Sequence, residues 1–499
     1  MAEGFSILDK MESPHTDGPR PDFYLDLNLN QILDRVTAGW EPAVKKFYLY
    51  FPRNEECEAY RRAAYGDVKK PACYEALNEF LETAGKMTEN DKQEDAVVSQ
   101  MQKNVWHLWA IHHYCKAFDE LYEKLQKIEL SSEGMQEFRR KLGEHLNSKE
   151  YLEMRQNTSE LLEELMSFRF VITYEKDRII VAEGTTDRDY EAFMEKGGDK
   201  DRVSLKSPFQ VSPNLSDLEN ECLSMLATKR PKLFGGLEKI AEKYEKYGEE
   251  FCFRFLREIP YYLSFRAYQL EMEEKGCQFC TPTADKNARM EAQGLYDLAL
   301  ASVALREGRK LVSNNFYYGE GESFFVLTGP NQGGKTTFAR SLGQLVFFTK
   351  MGLDVPARSA NVHYFNTILT HFSVEESIET GRGKLKEELL RLAPMMEDRE
   401  ENDFVVINEL FTTAATYDAE IMGKKVLSHF IGQNCVGIYV THLKELASAH
   451  EKVVSLRAML NAERLQTFEI ARSEAEESAC AANQVNKYRL TYEQLKERL

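Results

Sequence analysis

The eight residues Gly329-Pro330-Asn331-Gln332-Gly333-Gly334-Lys335-Thr336 constrain this chain more than any other stretch. They fit the pattern G-x-x-x-x-G-K-[ST] and follow a short apolar run, Phe324 to Leu327, so strand, loop and helix come in the order the pattern requires. Glycine lets the backbone fold around phosphate oxygens where a Cβ would obstruct. The loop N–H groups and the N-terminus of the next helix add a partial positive charge of roughly +0.5. Lys335 supplies a full charge for β and γ phosphates, and the Thr336 hydroxyl is suited to ligate Mg²⁺.

Two more apolar runs, Phe404 to Ile407 and Val436 to Val440, have the length and composition of parallel strands buried on both faces. Helical patterns separate them, so this part of the chain is α/β. The first run leads into Asn408-Glu409. Glu409 is the expected general base that orients an attacking water. Asn408 stands where P-loop ATPases, which carry this G-x-x-x-x-G-K-[ST] pattern, place an Asp for the Mg²⁺ shell, and it brings an acceptor without a charge. The second run ends at Thr441-His442, where His442 is placed to sense a γ-phosphate as a hydrogen-bond donor.

Upstream, the pattern from about Asp22 to Ser167 is helical, with Phe118, Leu121, Leu125 and Ile128 at helical spacing. Phe168, Phe170, Ile172 and Tyr174 then alternate, Glu175-Lys176-Asp177 offers a turn, and Ile179 and Val181 follow, which predicts a hairpin. A charged connector runs from Glu183 to Val203. Helical periodicity resumes at Leu215, Leu218, Cys222 and Met225, with Ser212 or Asn214 as the cap, and continues with interruptions to about Ala301.

Charge limits the partners. Lys and Arg total 64 against 81 Asp and Glu, a net charge of -17, which excludes nucleic-acid or membrane attachment by bulk positive charge. No apolar run reaches membrane-spanning length, and Met1 to Arg20 lack the apolar core of a signal peptide. Nine scattered cysteines read as reduced thiols, so the expected location is cytoplasmic. Cys277 and Cys280 form a C-x-x-C without a second pair and read as buried thiols. The adjacent His112 and His113 diverge on a helix and suggest no metal site.

Together these residues resemble the MutS family of mismatch-repair ATPases. Thr328 to Thr337 is similar to that family's T-G-P-N-M-G-G-K-S-T, and Gly352 with Val355-Pro356-Ala357 to its G-x-x-V-P-A. Tyr417-Asp418 and Thr441-His442 with Glu445-Leu446 match its Y-D and T-H-x-x-E-L. A weaker likeness runs through Asp26-Leu27-Asn28-Leu29 and Tyr296 to Leu300. The resemblance implies an α + α/β fold: a mostly helical core and lever region, then a P-loop ATPase domain of the ABC/MutS type. It divides the chain into a tail (1–21), helical core (22–167), hairpin and connector (168–210), lever-like helices (211–303) and ATPase domain (304–499).

The resemblance also implies ATP and Mg²⁺ as cofactors. Gly329, Pro330, Asn331, Gln332, Gly333, Gly334, Lys335, Thr336 and Thr337 would hold the nucleotide, and Thr336 and Asn408 the metal. Lys335, Glu409 and His442 would do the chemistry in a homodimer joined through the ATPase domains.

The sequence departs from the family at Phe411 to Thr416, which replaces G-R-G-T-S-T, and at Gly381-Arg382-Gly383-Lys384, which replaces G-R-S-T. Gly383 has no side chain to reach a partner's γ-phosphate, and whether Lys384 or Arg382 substitutes stays open. The Asn408-Glu409 and Gly383-Lys384-Leu385 forms are similar to those of short bacterial MutS-like ATPases. The segment before Asp22 is too short for the mismatch-reading and connector domains, and 168–207 too short for the clamp; no room follows for a nuclease domain. DNA therefore stays a candidate partner without mismatch specificity. The alternative function is a nucleotide-binding scaffold with negligible hydrolysis. An ABC-type ATPase accounts less well for the Pro-Asn pair.

Overall fold

Long helices make up most of one of the two compact units into which the chain divides, that of Ala2–Ile7 and Gly66–Ile259. The computed structural model describes residues 4–10, 21–52, 54–97, 99–167, 170–175, 178–183, 224–285, 289–372, 383–397, 402–463, 465–475 and 496. The helices Pro71–Ala96 and Gln100–Leu125 pack against each other, the first opened by a proline whose missing N–H costs nothing at that position. Phe118, Leu121 and Leu125 are buried as their spacing predicts, while Ile128 lies beyond the helix end. Ser132 caps Glu133–Leu146 by accepting from the Met135 N–H at 3.3 Å. Leu108, Leu161, Leu165, Leu233 and Leu237 share one apolar cluster. The expected hairpin is present as β1 (Phe170–Glu175) and β2 (Arg178–Glu183), antiparallel with Ile172 opposite Val181. The candidate caps Ser212 and Asn214, with Leu215, Leu218 and Cys222, fall outside the described residues.

The second unit holds Leu8–Tyr65 and Pro260–Leu499. Its strands are β3 (Thr283–Asp285), β4 (Glu291–Leu295), β5 (Asn314–Tyr317), β6 (Phe324–Thr328), β7 (Ser359–His363), β8 (Ile368–Phe372), β9 (Phe404–Asn408), β10 (Val436–Val440), β11 (Val453–Leu460) and β12 (Gln466–Arg472). The main sheet runs β12-β11-β6-β10-β9-β8, parallel except for β12. Every residue of β6, β8 and β9 is buried, as a strand covered on both faces requires. A smaller sheet runs β3-β7-β4-β5. Its first two strands in sequence interrupt the helical reading to Ala301: after the helix Pro260–Glu274 the chain turns at Gly276 and enters β3 and β4. Helix returns only with Leu298–Arg306, capped by Asp297.

Residues far apart in sequence hold the helix Lys335–Lys350 in place. Arg340 Nε donates to the Asp26 carbonyl at 2.8 Å, and Gln344 Nε2 to the Leu27 carbonyl at 2.9 Å. The fully buried Gln344 also accepts from the Leu298 N–H at 2.8 Å and donates to Asp297 at 3.2 Å. The Asp26 carboxylate accepts from Thr370 at 2.6 Å and from Arg391. Among the described residues no helix is long and apolar enough to cross a membrane.

Candidate functional site

The site forms where β6 and β9 leave the sheet on either side of β10. After β6 the backbone reaches φ +129° at Gly329 and +86° at Gly334. A Cβ on Gly329 would lie 3.0 Å from the Ala458 Cβ and 3.1 Å from its nitrogen, so only glycine fits. Gly334 is the N-cap of Lys335–Lys350. Lys335 is 4% exposed, and its Nζ donates to the carbonyls of Gly329 and Pro330, each at 3.0 Å. Burial pushes its ammonium pKa down, and the nearby Glu409 charge pulls it back up. Thr336 Oγ1 donates to Asn408 Oδ1 at 3.0 Å, which joins the loop to the end of β9.

Glu409 follows at φ +55°, its N–H donating to the Val440 carbonyl at the end of β10 (2.9 Å). Two residues on, His442 Nε2 lies 3.3 Å from Glu409 Oε1. Phe411, again left-handed at φ +62°, donates its N–H to the buried Glu388 carboxylate at 3.1 Å. Lys335, Thr336, Asn408, Glu409 and His442 are thus assembled by the ends of three strands. Gly383 is exposed at the start of the helix Lys384–Leu392, while Gly381 and Arg382 lie outside the described residues. Tyr417 is 73% exposed at the start of Thr416–Gly432. Cys277 is buried and Cys280 only half-buried, against the expectation of two buried thiols. Cys280 pairs with Val355 through the backbone.

A cavity of about 540 Å³ extends from the loop, lined by Asn331 to Phe338 and Glu409. Leu311, Val312, Ala304, Arg309 and Phe468 line it too, Phe468 lying close against Gly334. The size suits a nucleotide. Sequence reasoning missed this apolar end. Phe468 reaches it because Asn314 donates to the Phe468 carbonyl (3.2 Å) and accepts from the Ile470 N–H (2.7 Å), and because Gln466 donates to the Asn331 carbonyl (2.9 Å). Those contacts span more than a hundred residues of chain and leave no local signal. The loop fits the polyphosphate and metal the sequence implies: its cradle excludes a Cβ, its lysine is buried, and Thr336 with Asn408 offers oxygen donors suited to a hard cation.

Residues 325–485 match the family model described as MutS domain V. The DNA mismatch repair protein MSH6 of Arabidopsis thaliana is 29% identical over 267 residues, 53% of this chain and 20% of the relative. The DNA mismatch repair protein MutS of Syntrophomonas wolfei is 29% identical over 153 residues, 30% of this chain and 18% of the relative. The DNA mismatch repair protein MSH2 of Saccharomyces cerevisiae is 26% identical over 157 residues, 31% and 16% respectively. The chain spans about a fifth of the length of the curated relatives it matches.

Proposed function

The chain belongs to the MutS family through its domain V, and from that premise we propose that it binds and hydrolyses ATP at the ends of β6, β9 and β10. The observation that carries this reading is the 3.0 Å contact between Thr336 and Asn408, which unites the phosphate loop with the strand end bearing Glu409. Lys335 sits buried beside the cradle, ready to exchange its two carbonyl partners for phosphate oxygens. Thr336 and Asn408 would hold Mg²⁺, which supplies charge neutralisation between phosphates when bound. Glu409 orients water and takes its proton, and His442 steadies that carboxylate or donates to the terminal phosphate. Leu311, Val312 and Phe468 give the base an apolar berth.

Family membership supports further proposals: a homodimer joined through this domain, coupling of ATP turnover to movement of the helical region, and a role in DNA transactions such as mismatch repair, with DNA as a partner bound without mismatch specificity. The uncharged Asn408 favours a second reading, a switch that binds ATP and hydrolyses it negligibly. Phosphate release decides between them. Turnover that collapses in both Lys335→Ala and Glu409→Gln establishes the enzyme; nucleotide binding without release in the unaltered protein establishes the switch.

A further inference from the structure

Resting on that reading of Glu409, we propose that Glu388 is a positioning residue, whose buried carboxylate sets the direction of the hydrolytic glutamate by holding the backbone two residues beyond it. Glu388 lies on the helix Lys384–Leu392 and is 1% exposed. A buried carboxylate is expensive unless hydrogen bonds satisfy it. Its Oε2 accepts the Phe411 N–H at 3.1 Å. Phe411 is at φ +62° and Glu409 at φ +55°, so left-handed residues flank Leu410 on both sides. Conformations of this kind, on side chains other than glycine, persist only where surroundings over-determine them.

The surroundings are identifiable. The Glu409 N–H is held by the Val440 carbonyl at 2.9 Å, and the Phe411 N–H by Glu388. The Phe411 ring is 2% exposed within the apolar cluster around Val405, Ile407 and Leu446. One anchor comes from the neighbouring strand and the other from a helix outside the sheet. Without Glu388 the Phe411 N–H loses its acceptor, the tight turn relaxes, and the Glu409 carboxylate turns away from the phosphate cradle. Glu388 itself is anchored: His371 Nε2 donates to its carbonyl at 3.3 Å, and Arg391, one turn on, donates to the Phe372 carbonyl at 3.0 Å.

The test compares full-length Glu388→Ala and Glu388→Gln, alone and combined with Glu409→Gln, by phosphate release, fluorescent-nucleotide binding and amide hydrogen exchange. Glu388→Ala should lower kcat about 10–100-fold with nucleotide affinity within about threefold, as expected when preorganisation rather than binding is lost. Glu388→Gln keeps an acceptor oxygen and should restore turnover to within about threefold. On the Glu409→Gln background, Glu388→Ala should add no further loss, since both act on one function. Exchange should quicken in residues 409–415 and stay unchanged in 329–336. Unchanged exchange at 409–415, or a kcat loss that simply adds to that of Glu409→Gln, overturns the proposal. Turnover indifferent to Glu409→Gln overturns instead the functional reading of the site, and exchange at 409–415 then decides by itself whether Glu388 holds the turn.

Discussion

The loops after β6 and β9 leave the sheet on either side of β10, and both need left-handed backbone, yet they obtain it by different means. The first places its extreme conformations at Gly329 and Gly334, where no Cβ opposes them. The second places them at Glu409 and Phe411, each at a cost of about 1–2 kcal/mol that distant partners must offset. The first loop is therefore largely written into its own residues, whereas the second is held by Val440 and Glu388. On the proposed reading, autonomy suits a binding loop, and dependence would let the rest of the domain act on hydrolysis without disturbing binding.

The sharpest separation should appear in turnover. Glu409→Gln should lower phosphate release ~10²–10⁴-fold with nucleotide still bound, the range for loss of a general base. Lys335→Ala should lower it ~10²–10³-fold and weaken binding as well, because its charge serves ground state and transition state together. Equal losses of binding in both would erase the distinction between the loops.

Acid should break the second loop's support first. His371, fully buried on β8, has its pKa lowered from 6.5 to about 4 by burial and then by the Arg391 charge. Below pH 6.5 the unfolded chain takes up this proton while the folded chain does not, so stability falls as pH drops toward 4. The full effect is about 3 kcal/mol. Urea midpoints at pH 7, 5.5 and 4 should show that slope diminished in His371→Asn; an identical slope sinks the assignment.

Smaller effects should follow within the first loop. Gly329→Ala should destabilise by about 1–3 kcal/mol, since its φ of +129° suits glycine and the new Cβ would crowd Ala458. Gln332, exposed at φ +60°, is the exception to the glycine rule in this loop. Gln332→Gly should alter stability by less than about 1 kcal/mol, because strain relief and added chain entropy oppose each other. A larger loss in thermal unfolding would mean that Gln332 is held from outside, like Phe411.

This contrast also explains what the sequence could announce. Phe324 to Leu327, Phe404 to Ile407 and Val436 to Val440 were readable as strands because double-sided burial leaves uninterrupted apolar runs. β8 is equally buried, but Thr370 and His371 break its run, the Thr370 hydroxyl donating to Asp26 and the His371 Nε2 to the Glu388 carbonyl from elsewhere. β3 and β4 are three and five residues long, too short to carry a period. The loop Gly329 to Thr336 was legible because its chemistry is local. Glu388 and Phe468 were not, since each matters only through a partner that folding brings near. Neither the pairing of Leu8–Tyr65 with Pro260–Leu499 nor the apolar end of the cavity leaves a local trace.

Gln344 has a consequence for anyone who wishes to work with less than the full chain. One amide side chain answers the Leu27 carbonyl, the Leu298 N–H and Asp297 at once, and Arg340 beside it answers the Asp26 carbonyl. A fragment trimmed to 325–485, the stretch the family model matches, would retain both side chains and discard every one of those partners. It would strip Phe347 of the rings of Phe23, Tyr24 and Phe51 that pack on it, and would leave polar groups without the mates they were buried for. The stretch 325–485 that the family model matches is thus shorter than the one whose buried polar groups answer one another.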